Sequence, residues 1–208
     1  MDDGSCVYSV GCSIFAIDSI SVTNSSCYGT NNGSASVFSI INGSGNYSYT
    51  WYDIMSGTIV GLGITATNLL GGPPGGTYYV IVTDNNWGCT DSSFLTVGQP
   101  SQIIANFTVA NVSCFGGNDG FITTNVSGGV GGYVYLWTPT WATTSNINTL
   151  IAGTYTVNIT DAVGCMVTNT ILVTQPPPLV CNILTTPPSA VGLCDGYMNV
   201  TVAGVISS

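Results

Sequence analysis

The 208-residue chain has no lysine, arginine, histidine or glutamate; its only charged side chains are nine aspartates, for a net charge of -9. The missing cations exclude whole classes of function. Nucleic acids are gripped through Lys and Arg on phosphates, and anionic membrane surfaces attract basic segments; this chain offers neither. Side chains cannot form salt bridges with one another, and trypsin has no site to cut. Charge of one sign alone implies weak self-repulsion and a surface that divalent cations can bridge. Charged residues amount to 4% of the chain, against roughly 25% in ordinary soluble domains.

The same gaps bear on catalysis. Acid–base chemistry near neutral pH draws on His, Glu, Asp, Lys, Tyr or Cys, and three of those six types are absent. A Ser or Cys nucleophile would have no His or Lys base beside it. Two Asp could in principle form a glycosidase dyad, but these Asp recur at repeated positions, which favours turn roles. The chain is therefore expected not to be an enzyme and to carry no catalytic residue. Its Gly-rich stretches lack a following Lys and read as turns rather than phosphate cradles. No apolar run approaches about 18 residues, so no helical span or membrane insertion is expected. Asp2-Asp3-Gly4 after Met1 is no signal peptide, so these residues are expected to come from a longer exported precursor that continues at both ends.

What is abundant is cysteine, glycine and short β-forming runs. The eight cysteines are an even number in a loop-rich sequence, which points to disulfides and an oxidising, extracellular setting. There is no C-x-x-C and no His, so thiolate metal ligation is not expected.

The chain repeats itself. Asn24-Ser25-Ser26-Cys27-Tyr28-Gly29 is matched by Asn111-Val112-Ser113-Cys114-Phe115-Gly116, and Gly76-Thr77-Tyr78 by Gly153-Thr154-Tyr155. Thr83-Asp84 with Gly88-Cys89 corresponds to Thr160-Asp161 with Gly164-Cys165, and both units close on Gln-Pro, at Gln99-Pro100 and Gln175-Pro176. The changing offset places about ten extra residues of the first unit between Gly57 and Gly75. Cys194-Asp195-Gly196-Tyr197 opens a third unit. The expected organisation is a Cys-bearing N-terminal tail (1–14), one repeat (15–100), a second (101–177) and the start of a third (178–208).

Within each unit the side-chain period is two: Tyr47, Tyr49 and Trp51 alternate with Ser48, Thr50 and Tyr52, Tyr133, Tyr135 and Trp137 with Val134 and Leu136, and Tyr155, Val157 and Ile159 with Thr156, Asn158 and Thr160. No convincing helix is present. About seven short strands per unit, a Trp on a central strand and a tyrosine-corner pattern at Leu150–Tyr155 predict an all-β fold of tandem immunoglobulin-like β-sandwich repeats. Because each pair flanks the same landmarks, Cys27 is expected to bond Cys89, and Cys114 to bond Cys165, stapling each unit internally. Cys6 with Cys12, and Cys181 with Cys194, are the remaining pairings.

The run Cys114 to Gly120, Ser127-Gly128-Gly129, Tyr133 to Trp137, Leu150 to Tyr155, Asp161 to Cys165 and Thr174-Gln175-Pro176 resembles the SprB-type repeat of very large Bacteroidetes surface adhesins, gliding-motility adhesins among them. The resemblance is close over 101–177, good over 15–100 and partial over 178–208. It implies an extracellular, cell-surface, non-catalytic module of Ig-like fold and names no ligand. Asp18-Ser19-Ile20 is similar to the O-glycosylation motif of that phylum.

Candidate sites are few. Asp119 and Asp161 are calcium candidates through their hard oxygens, set against the commoner reading that Asp caps its own turn. Sequons occur at Asn24, Asn32, Asn42, Asn46, Asn106, Asn111, Asn125, Asn158 and Asn199. The alternating aromatics read as core before they read as a sugar platform, whereas Trp87 and Trp141 sit in loop-like contexts suited to contact. The leading functional expectation is a disulfide-stapled surface fibre of self-associating repeats. A non-polymerising adhesin stalk and a carbohydrate-binding module are the alternatives, with surface glycans as the partner of the latter.

Overall fold

The computed structural model describes residues 12–72 and 76–204. After a 3-10 turn at Cys12–Ile14, the first repeat contributes seven strands: β1 (Ala16–Thr23), β2 (Gly33–Ile41), β3 (Tyr47–Asp53), β4 (Ile59–Gly61), β5 (Thr65–Leu69), β6 (Thr77–Asp84) and β7 (Thr90–Thr96). They form two antiparallel sheets, β1-β2-β5 and β4-β3-β6-β7. The second repeat has β8 (Ile104–Ala110), β9 (Gly120–Ser127), β10 (Val134–Thr138), β11 (Ile147–Leu150), β12 (Gly153–Thr160) and β13 (Met166–Val173). Its sheets are β11-β9-β8 and β10-β12-β13. A hairpin of β14 (Val180–Thr186) and β15 (Tyr197–Ala203) follows. No α-helix occurs among the described residues. The fold is all-β, as the period-two pattern requires, and immunoglobulin-like in having two antiparallel sheets per repeat. The extra residues of the first repeat supply β4, an added edge strand beside β3 that the second repeat lacks.

Each sandwich is organised around one tryptophan. Trp51 is fully buried with Val80, Val82 and Leu69 around it, and Trp137 with Ile122, Val157 and Ile159. A buried indole N–H needs an acceptor, and each finds a loop carbonyl: Gly63 at 2.7 Å for Trp51 and Thr144 at 3.0 Å for Trp137. The tyrosine corner forms in both repeats, with the Tyr155 hydroxyl donating to the Ile151 carbonyl (2.9 Å) and Tyr78 to that of Leu70 (3.1 Å). The Leu70 N–H also donates to the Tyr78 hydroxyl (2.9 Å). Gly33 and Gly120 recur because the next strand passes too close for a side chain: a Cβ there would sit 2.9 Å from the Leu69 or Leu150 carbonyl oxygen.

The disulfides differ from expectation. Cys12 bonds Cys89 and Cys27 bonds Cys165, with Cα separations of 5.2 and 5.6 Å. The Cys27–Cys89 and Cys114–Cys165 pairings are therefore corrected. Cys89 precedes β7, while the loop of Cys27 is tied by Ser25 N–H to the Gly98 carbonyl beyond the far end of that strand. A seven-residue strand spans roughly 23 Å, and a disulfide tolerates at most about 7 Å between Cα atoms. Cys165 and Cys114 are separated in the same way by the length of β13, since Gly116 N–H bonds Gln175 beyond its end. Cys114, Cys181 and Cys194 are free and exposed. Cys181 stands opposite Val202 near the open end of its hairpin, whereas Cys194 lies in the loop after Thr186, which overturns the Cys181–Cys194 pairing. The Cys6–Cys12 pairing fails at Cys12; Cys6 lies outside the described residues.

Two compact units result. Among the described residues, the first holds those through Ile103 together with Gly128–Gly132 and Asp161–Cys165; the second holds Ile104–Ser127, Tyr133–Thr160 and those from Met166.

Candidate functional site

The repeat builds two loops that present cysteine. One is the Asp-to-Cys turn after β6 or β12. In the first repeat, Asp84 is fully buried and its carboxylate accepts from Ser44 N–H (2.6 Å), the Ser44 hydroxyl (2.7 Å), Asn86 N–H (3.0 Å) and Trp87 N–H (3.1 Å). Asp161 does the same work with Val130 N–H (3.0 Å), Val163 N–H (3.0 Å) and Cys165 N–H (2.9 Å). Burial pushes both carboxyls up, but these donors outweigh it and hold both below the ordinary carboxylate value. Gly88 and Gly164 take φ of +70° and +90°, a conformation glycine adopts without strain. Each turn ends on a cysteine whose backbone carbonyl accepts the Asp N–H (2.8 Å at Asp84, 2.9 Å at Asp161).

The other loop joins β1 to β2, or β8 to β9. Ser26 N–H donates to Asn32 Oδ1 and Ser113 N–H to Asp119 Oδ1, each at 3.0 Å. The hydroxyl and N–H of Ser113 lower the Asp119 pKa. The closing glutamine of each repeat holds this loop: Gln99 Oε1 accepts Gly29 N–H (2.7 Å) and Gln175 Oε1 accepts Gly116 N–H (2.8 Å). Asn24 and Asn111 add matching bonds to Gly98 N–H (2.8 Å) and Thr174 N–H (2.9 Å). The Gln-Pro landmark was legible in sequence, but this tying role was not.

In the first unit the two loop types meet. Cys165 is bonded to Cys27, and its sulfur lies 3.3 Å from the Ser26 carbonyl oxygen. A cysteine of the first repeat is thus joined to the Asp-to-Cys turn of the second. Cys12, just before the first repeat, meets the equivalent turn at Cys89.

The remaining candidates are placed as follows. Asp161 Oδ1 caps its own turn while Oδ2 accepts from Val130 N–H in the β9–β10 loop, and Asp119 caps its own loop, so both carboxylates are engaged by backbone donors. No group of three or more metal-ligating side chains occurs among the described residues. Of the sequons, Asn24, Asn32, Asn42, Asn46, Asn106, Asn111, Asn125 and Asn199 are exposed. Asn158 is half-buried and accepts from Thr168 (2.7 Å). Ser19 is half-buried and shares a hydrogen bond with Ser39 (2.7 Å). Trp51 and Trp137 are core, while Trp141 is 70% exposed and Trp87 43%.

Residues 19–56 and 106–140 match the family profile of the SprB repeat. No curated protein matches the chain. Among solved structures, the chain is similar to three N-terminal domains of the bacteriophage RB49 highly immunogenic outer capsid protein (15% identity, covering 93% of this chain and 70% of that one, TM-score 0.47). It is also similar to the first two Ig domains of DIP-gamma (12% identity, 77% and 91%, TM-score 0.35) and to the amphioxus IgVJ-C2 molecule (14%, 74% and 99%, TM-score 0.31). The SprB matches support an extracellular repeat protein of the adhesin type, a class whose modules are typically structural rather than catalytic.

Proposed function

We propose that this protein is an extracellular structural element that builds a cell-surface fibre from serially stapled, self-associating Ig-like repeats. The observation that carries this reading is the Cys27–Cys165 disulfide, which runs from one repeat to the next instead of closing either one. A bond in that place resists separation of neighbours under load, which a staple within one sandwich would not do. Exposed strand edges without a single lysine supply the means of lateral contact, because basic residues are a common guard of such edges. A non-polymerising stalk would use the same serial bond and differs only at the edges. Cryo-electron microscopy of the native material at neutral pH tests the reading. Ordered filaments with subunits touching along β edges are expected; isolated thin strands without lateral contact would leave only the stalk.

A surface glycan is the alternative partner, supported by Trp141, whose ring is exposed beside a turn in which its N–H donates to the Trp137 carbonyl (2.7 Å). Glycan-array binding that disappears in Trp141→Ala is the expected result on that reading; an array silent for the intact protein would remove it.

A further inference from the structure

The free thiol of Cys114 occupies the repeat position that in Cys27 is bonded, and the two loops share several hydrogen bonds. Ser26 and Ser113 each lie 3.8 Å, hydroxyl to sulfur, from the following cysteine. The loop glycine is held by the closing glutamine in both. Around Cys114 lies an apolar groove lined by Ser113, Phe115, Pro176–Pro178, Leu179 and Gly204.

At the corresponding place in the first unit the cysteine is engaged, Cys27 being bonded to Cys165. Counting from the Gln-Pro landmarks, Gln102 corresponds to Pro178, Ile103 to Leu179 and Gly128 to Gly204, all 76 residues apart. Gly128 and Gly204 both have positive φ (+81° and +92°), and a Cβ on either would collide with the carbonyl oxygen of Gln102 or Pro178. In the first unit Gly129 N–H then donates to the Ser101 carbonyl (2.9 Å), and the Asp161–Cys165 turn bonds Cys27. The β14–β15 hairpin already brings Gly204 to the second groove. The complementary element that bears the Asp-to-Cys turn comes from strands equivalent to β12 and β13.

A second observation points to the same element. β14 pairs with β15 in the register of β8 with β9, Val180 facing Ala203 as Ile104 faces Ser127. The equivalents of Ile122 and Val126, which pack against the second core, are Met198 and Val202, and these are exposed at 64% and 54%. Residues that face the core in the second repeat thus have exposed equivalents on one face of the β14–β15 hairpin.

We infer that Cys114 forms a disulfide with the Asp-x-x-Gly-Cys turn of a third repeat carried further along the same polypeptide, whose second sheet covers the β14–β15 face. The two thiols lose two protons and two electrons as the S–S bond forms. The acceptor is a protein disulfide of the export compartment, reduced to a dithiol by exchange. This inference deepens the serial-staple part of the proposed function and does not depend on lateral association.

The test is disulfide mapping of the native full-length protein, alkylated with iodoacetamide before any reduction and cut with pepsin. Cys114 is expected unalkylated and joined to a Gly-Cys peptide from later in the same chain. Alkylated Cys114, or Cys114 bonded to Cys181, to Cys194 or to a second copy of itself, would overturn the inference. In Cys114→Ser, one new alkylatable thiol is expected in that later turn with an unchanged far-ultraviolet circular dichroism spectrum; an unchanged thiol count overturns it equally. Filaments absent but the Cys114 bond present would remove lateral assembly and leave this inference standing. Filaments present with Cys114 free would do the reverse.

Discussion

β8–β9 and β14–β15 are the same two strands of the same repeat, paired in the same register, yet they live in different surroundings. In the first hairpin Ile122 is fully buried and Phe107 packs edge-on against Trp137 at 6.4 Å. In the second every residue of both strands is exposed. The alternating pattern therefore decides which side chains share a face, and the opposing sheet decides whether that face contributes stability. A hairpin alone is marginal in water; three or more strands closed over a tryptophan are not.

That contrast can be broken at several points. A large effect is expected from Cys12→Ser with Cys89→Ser, because the bond closes a separation of 77 residues. In the chain-entropy limit such a closure contributes about 4.5 kcal/mol, read as a lower denaturation midpoint of the first unit alone. Trp137→Ala should cost about 3–5 kcal/mol through the cavity it leaves, whereas Met198→Ala, its hairpin counterpoint, should stay within about 0.5 kcal/mol; urea melts of the two variants compare them directly. Tyr78→Phe removes both the bond to the Leu70 carbonyl and the acceptor of the half-buried Leu70 N–H and should cost about 1–3 kcal/mol, more than the roughly 1 kcal/mol for Tyr155→Phe, which loses a single donated bond.

Acid sharpens the same comparison more gently. Asp84 and Asp161 are held below the ordinary carboxylate value. Their contribution is complete above the unfolded-state value near 3.9 and is lost as pH falls through the lower folded-state value. Thermal melts from about pH 6 to about pH 2 should show stability falling only at the acid end, and Asp84→Asn should flatten that fall in the first unit.

Much of the fold was legible in the residues. Alternation located the strands, the repeated Trp marked the cores, and Leu150–Tyr155 announced the corner that Tyr155 closes. The Asp-to-Cys turns were legible as turns because Asp recurs at their start. Disulfide connectivity was not legible. Landmarks around Cys27 and Cys89 identify which strands they border, but not that the two border opposite ends. The same blindness hid that Cys27 meets the Asp161–Cys165 turn of the second repeat. In sequence Gln99 and Gln175 mark only where each repeat closes, since nothing in a Gln-Pro pair says that its side chain reaches back to a loop some 60 to 70 residues earlier in sequence.

The central claim is that a disulfide joins the first repeat to the second, and one cut tests it. A protease site placed at Ser101-Gln102, where the linker is exposed, would sever the chain between the first and second repeats. The account predicts a single band on a non-reducing gel after cleavage, splitting into two on reduction, because Cys27–Cys165 still holds the halves. Two separate bands without reductant would mean that each repeat is stapled only within itself, and would contradict it.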